Sequence, residues 1–135
     1  MKSRLQAGLE AEATVRVDEA RTIDFMGEEA RVYATPMLVR DIEVACRDLL
    51  QPHLDAGEDS VGTRVELDHT AATLMGMKVE LSVSIAEVKG RAVTFDVAGR
   101  DSIESICRGR HSRFVVDVKK TEARLSAKAE QAGLG

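Results

Sequence analysis

The chain of 135 residues has no tryptophan, one tyrosine and three phenylalanines. So few flat rings leave little for unpaired bases to stack on, which disfavours a single-stranded nucleic acid partner. Basic residues do not dominate either. Lysine and arginine total 19 against 23 aspartates and glutamates, a net charge of −4, which argues against nucleic acid or an anionic membrane as a main partner. No window approaches the roughly 18 consecutive apolar residues of a membrane span. Met1 to Leu9 lacks the apolar core of a signal peptide, so no membrane partner and a cytoplasmic location are expected. The only two cysteines, Cys46 and Cys107, fall in apolar patterns without metal-type spacing. They are expected to be buried free thiols in a reducing compartment. Metal-ligand clusters, a Walker loop, a glycine-rich dinucleotide fingerprint and a Gly-x-Ser-x-Gly elbow are all missing from the sequence. Neither a metal nor a separate cofactor is expected.

What the chain does contain begins with a helix from Ala34 to Leu50. Leu38, Ile42, Ala45, Cys46 and Leu49 recur at helical spacing, with Val39 and Leu50 widening the stripe. Thr35 can act as N-cap, which would place Pro36 at the first helical position, where a missing N–H costs nothing. Glu43 falls just beyond the widened edge of the stripe. A carboxylate there is either a solvated flank residue or an acid in a cleft.

Around this helix the chain reads as strands. Leu9 to Val17 alternates weakly, and Asp18 to Arg31 reads as a loop or lid. Gln51 to Ser60 reads as a surface connection. Thr63 to His69 forms a short strand, and Thr70 to Gly76 a turn or bulge. Met77 to Ala86 alternates most clearly, Lys89-Gly90-Arg91 makes a hairpin turn, and Val93 to Ala98 alternates again. Ile103 to Val118 gives a long last strand with a kink or bulge expected near Gly109, and Thr121 to Ala132 a solvated tail helix. One strand, one apolar helix and four successive antiparallel strands make a single α+β domain with a core over about residues 8–120. This is the hot-dog arrangement, a sheet wrapped around one central helix. Its open edge strand predicts a homodimer by edge pairing.

His53 and His111 read as structural or solvated. His69, at a strand end after Asp68, is a candidate for chemistry. Glu43 and His69 together would suit proton transfer near neutral pH if the fold joins them. Three segments point further: Val32-Tyr33-Ala34-Thr35 running into Glu43-Val44-Ala45-Cys46, then Ser60-Val61-Gly62-Thr63, then His69-Thr70-Ala71-Ala72-Thr73. In order and register they resemble the fluoroacetyl-CoA thioesterase family of hot-dog proteins. The resemblance implies an acyl-CoA thioesterase acting on a small acyl-CoA, with CoA entering only as part of the substrate. It matches Thr35, Glu43 and His69 to the family's catalytic residues, and Gly62 to a glycine whose backbone lies at the same site. The family's aromatic-rich lid is not matched, because Thr22 to Arg31 holds only Phe25, so fluoroacetyl specificity is not implied. An acyl-CoA hydratase or dehydratase of the same fold, or a non-catalytic acyl-CoA binding protein, are the alternatives. Arg108, Arg110, Lys119 and Lys120 are candidates for holding the CoA phosphates.

Overall fold

The computed structural model describes residues 1–135. Strand β1 (Glu10–Arg16) leads through two short paired strands, β2 (Thr22–Ile23) and β3 (Val32–Tyr33), into helix α1 (Thr35–Leu50). Strands β4 (Glu58–His69), β5 (Lys78–Lys89), β6 (Ala92–Arg100) and β7 (Ser105–Asp117) follow, and helix α2 (Val118–Gln131) closes the chain. The five long strands form one antiparallel sheet in the order β1-β5-β6-β7-β4. The first strand pairs with one distant in sequence, β5, and β1 and β4 are the two edges of the sheet. No helix is long and apolar enough to cross a membrane.

The core follows from two periodicities. Leu38, Ile42, Ala45, Cys46 and Leu50 of α1 are buried against Val79, Leu81, Val83 and Ile85 of β5 and Val93, Phe95 and Val97 of β6. Each large aliphatic side chain so buried stabilises the fold by about 1.5–3 kcal/mol. Cys46 and Cys107 are free and buried within this core, and burial pushes both thiols up, to about 12 and about 11.

Four local expectations are corrected. Ala34, not Thr35, is the N-cap of α1, and it makes no side-chain cap bond. Its carbonyl accepts from the amides of Met37 and Leu38, both at 3.0 Å. Pro36 therefore falls at the second helical position, whose N–H would also have lacked a partner. Strand β4 starts at Glu58 rather than near Thr63. The polar residues Glu58 and Asp59 tolerate the sheet because the amino group of Met1 and the guanidinium of Arg47 neutralise them. No kink occurs at Gly109. The register runs through it unbroken, and the irregularities fall at 62/64 in β4, at 85/87 in β5 and at Ile106 of β7, opposite 99/100, so the last strand bulges three residues before Gly109. Gly109 is needed for close approach, since a Cβ there would lie 1.9 Å from the Glu66 carbonyl oxygen. The tail helix starts at Val118 and is capped by the Asp117 carboxylate, and none of its residues is buried.

The segment before α1 is an arch tied down at its base. Arg21 grips Asp41 of α1 with two bonds of 2.9 and 3.2 Å, and the Tyr33 hydroxyl donates to the same carboxylate. Arg31 is held by Glu28 and Thr22, while Phe25 and Met26 stand exposed at the tip. Asp41 is 6% exposed, so removing it leaves the buried Tyr33 hydroxyl without its acceptor and leaves Arg21 with Asp18 alone. Asp41→Ala is expected to lower stability by about 3 kcal/mol or more in chemical denaturation. Tyr33→Phe, which leaves the Arg21 pair intact, should cost about 1 kcal/mol.

Candidate active site

The first of two polar clusters lies where α1 begins. The Thr35 hydroxyl is 2.8 Å from His69 Nδ1. Freed from capping, Thr35 at the first helical position faces the end of β4, where His69 pairs with Cys107 and the Thr70 amide bonds the Ile106 carbonyl. The other ring nitrogen, His69 Nε2, is buried with no hydrogen-bond partner. Burial pushes the imidazole below its ordinary range, because the charged form loses hydration. The Tyr33 ring meets the imidazole edge-on, with centroids 6.4 Å apart. Ile23, Val32, Ala71 and Ala72 complete a small cleft around the pair. The positive end of the α1 dipole points at the same place. This cluster can accept or deliver a proton and can stabilise a developing oxyanion.

The second cluster lies two turns along the helix, roughly 12 Å further on at 1.5 Å per residue. Glu43 Oε2 is 3.6 Å from Arg113 Nη1. Gly62 of β4 lies over the carboxylate. A Cβ there would come within 3.0 Å of Glu43 Oε2 and 3.2 Å of His111 Cε1, so any larger residue would push the carboxylate aside by a few tenths of an ångström. Arg113 is 5% exposed, and its Nε and Nη2 donate to Ser60 Oγ (2.7 Å) and the Ser60 carbonyl (2.8 Å). Its Nη1 lies 3.1 Å from His111 Nε2. Burial pushes the guanidinium's pKa down and the Glu43 carboxylate pushes it back up.

Within one chain, therefore, Thr35 and His69 meet, and Glu43 meets Gly62. No hydrogen bond or ion pair joins Glu43 to His69. The expected three-residue meeting is thus divided between two places along β4. Arg113 and buried His111 were missed as site residues. The alternation of β7, in which 107, 109, 111, 113 and 115 face inward, is the signal that finds them. His53 accepts a bond from Arg4 Nε near the surface, at 3.1 Å. Arg108 and Arg110 stand exposed on the outer face of β7, where Arg110 pairs with Asp96 at 3.0 Å. Lys119 and Lys120 lie in the first turn of α2. The cations that share a groove with Glu43 are instead Arg40, Arg47 and Arg113.

Burial holds both His69 and His111 below their ordinary value of 6.5. The unfolded chain therefore binds more protons than the folded one as pH falls through that value. The stability linked to these rings is fully present above 6.5 and is lost on acidification towards the lower folded values. Urea midpoints are expected to be flat from pH 7 to 8 and to fall below about pH 6.5, well before the paired carboxylates titrate. His69→Gln should flatten part of that early fall.

Comparison with known proteins gives these clusters a context. The family model described as fluoroacetyl-CoA-specific thioesterase matches residues 17–119. A fluoroacetyl-CoA thioesterase of Streptantibioticus cattleyicolor is 35% identical over 101 residues, 75% of this chain and 73% of that protein. A thioesterase-superfamily protein from Thermus thermophilus superposes with a TM-score of 0.89 at 28% identity, covering 100% of both chains. A variant of the fluoroacetyl-CoA-specific thioesterase, solved with fluoroacetate and CoA, gives 0.80 at 29% identity over 87% of this chain and 99% of that one. The paired Thr35 and His69 thus stand on a shared scaffold as well as within matching sequence, and the chain belongs to the fluoroacetyl-CoA-specific thioesterase family, thioester hydrolases of the hot-dog fold.

Proposed function

We propose that the protein cleaves a small acyl-CoA into carboxylate and free CoA, with Thr35, Glu43 and His69 as its working groups. The observation that carries this reading is the 2.8 Å contact between the Thr35 hydroxyl and His69 Nδ1, with Nε2 buried and unpaired on the other side of the ring. The thioester carbonyl sits at the N-terminus of α1, where the helix dipole stabilises the oxyanion. Water supplies hydroxide to the acyl carbon, the C–S bond breaks, and the departing sulfur takes a proton from His69. Three routes use these groups: Thr35 takes the acyl group briefly as an ester and passes its own proton to His69, Glu43 takes it as an anhydride, or Glu43 draws the proton from an attacking water. In the first two, water then hydrolyses the acyl-enzyme. Mass spectrometry of rapidly quenched enzyme separates them. Ile23, Val32, Ala71 and Ala72 leave a cleft suited to a short acyl chain. A cytoplasmic setting, where acyl-CoA is made, suits the two free thiols.

The working site is completed by a second copy of the chain. Edge strand β4 exposes Val61 and Val65, and Val44 of α1 is exposed beside Glu43. Antiparallel pairing of β4 with its symmetry mate, centred near Val65, puts His69 opposite the partner's Val61 and thus beside the partner's Gly62 and Glu43. Dimerisation by this edge also covers strand groups that would otherwise remain open.

Glu43→Gln keeps size and removes basicity, so turnover should be almost abolished with melting unchanged. His69→Ala should lower kcat by about 10²–10⁴-fold. Thr35→Ser should be mild and Thr35→Ala intermediate. Near-full activity in Glu43→Gln would remove the assignment.

Light scattering is expected to show a dimer at micromolar concentration. Refolding the inactive Glu43→Gln and His69→Ala chains together should restore about a quarter of wild-type turnover, since mixed dimers carry one intact shared site. If each site lay within one chain, mixing would restore nothing.

A further inference from the structure

We infer that His111 is a positioning residue. It holds the Arg113 guanidinium against Glu43, and protonation of its ring releases that hold. The inference rests on the reading of Glu43 as a working acid.

The bonding leaves the ring one arrangement. Arginine has donors and no acceptor, so at the 3.1 Å contact His111 Nε2 must accept from Arg113 Nη1. The proton is then on Nδ1, which donates to the Arg64 carbonyl oxygen at 2.8 Å. Both ring nitrogens are committed. The ring is 1% exposed and stacks on Phe95, with centroids 6.3 Å apart and planes 24° apart. Arg64 directly follows the register break at 62/64 in β4. His111 therefore joins the irregular part of the edge strand to the guanidinium that faces Glu43.

The charged surroundings explain what a proton would do. Arg113 faces the ring from its own strand, and Glu43 from α1. From β4 comes the Arg64 carbonyl, the Arg64 side chain being 72% exposed and turned to Glu66. From β6 comes uncharged Phe95. Burial and the Arg113 charge keep the ring neutral, against the carbonyl bond and Glu43. A proton on Nε2 would set N–H against N–H and charge against charge. Arg113 Nη1 would lose its acceptor while Nε and Nη2 stay bonded to Ser60, so the guanidinium would tilt about that anchored edge and the 3.6 Å contact of Nη1 with Glu43 would lengthen.

Two substitutions separate positioning from mere support. His111→Gln can keep an accepting oxygen near Nη1 while losing the bond to β4. His111→Asn, being shorter, can keep the bond to β4 but not the one to Arg113. Thiol release is measured with the fastest of a panel of straight-chain acyl-CoA thioesters. His111→Asn should lower kcat by roughly 10-fold or more with little change in KM, and His111→Gln should recover most of it. Recovery in His111→Asn but not in His111→Gln, or wild-type kcat in both, would overturn the inference. The second measurement needs no variant to fold. In NMR of the wild-type enzyme, the Arg113 Nε–H signal should move with the titration of the His111 ring, and a signal that stays fixed through that titration would overturn the inference. If Glu43→Gln stays active the site reading fails, whereas the NMR titration still decides whether His111 holds Arg113.

Discussion

The packing of α1 across the sheet is the constraint from which the rest of the structure follows. A helix on a sheet buries one stripe and leaves two margins. Here the stripe is Leu38, Ile42, Ala45, Cys46 and Leu50. One margin runs along β4, which comes last in the sheet order although it follows α1 directly in the chain. Helix and strand touch at several places on that margin, the Arg47–Asp59 pair among them. Thr35 meets His69 at one, and Glu43 meets Gly62 at another. The chemistry is therefore set by where a helix with this stripe can lie.

Apolar contacts place a helix but direct it weakly, because many small rotations bury the same area. Two buried charges supply the direction. Asp41 ties α1 to the arch through Arg21 and Tyr33, and Arg113 ties β7 to Ser60 on β4 while facing Glu43. A lone buried charge costs several kcal/mol, so each survives only with its full set of partners. A helix turned to another angle would part Asp41 from Arg21 and Tyr33 and would take Glu43 away from Arg113, which keeps its bonds to Ser60 and His111. The polar networks thus penalise misplacement more steeply than the core does. That suits a site whose hydroxyl and imidazole must stay within hydrogen-bonding distance.

Much of this was readable from sequence where the rule is local and periodic. The alternation of Met77 to Ala86 and of Val93 to Ala98, the stripe of α1 and the hairpin at Gly90 all depend on near neighbours. Readings failed where a distant partner overrode a local rule. Thr35 looked like a cap because threonine serves its own backbone well, yet its hydroxyl is bound to a histidine 34 residues away. Glu58 and Asp59 looked like loop because their neutralising partners, the amino group of Met1 and Arg47, are far along the chain. Arg113 was hidden among the charges of β7, although its inward parity was legible. Spacing named Glu43 and His69 but could not say whether they meet within one chain.

The division of the site has its own electrostatic logic. Beside a carboxylate in one chain, His69 would be drawn towards the charged form. Within one chain burial alone acts on it, lowering its pKa, and Nε2 is unpaired. Glu43, half exposed, has a cation near one oxygen only. Between them runs an edge strand whose outward N–H and C=O groups have no strand beside them. An unpaired imidazole nitrogen, a half-neutralised carboxylate and an open strand edge thus lie along one line of the molecule. Of the three only the imidazole nitrogen is buried, at a cost of about 1–3 kcal/mol, while the carboxylate and the strand edge are open to water. In the dimer proposed above, pairing that edge with its symmetry mate would close the backbone ladder and bring a carboxylate to each imidazole. On this argument the free energy of association and the assembly of the catalytic groups come from the same contact.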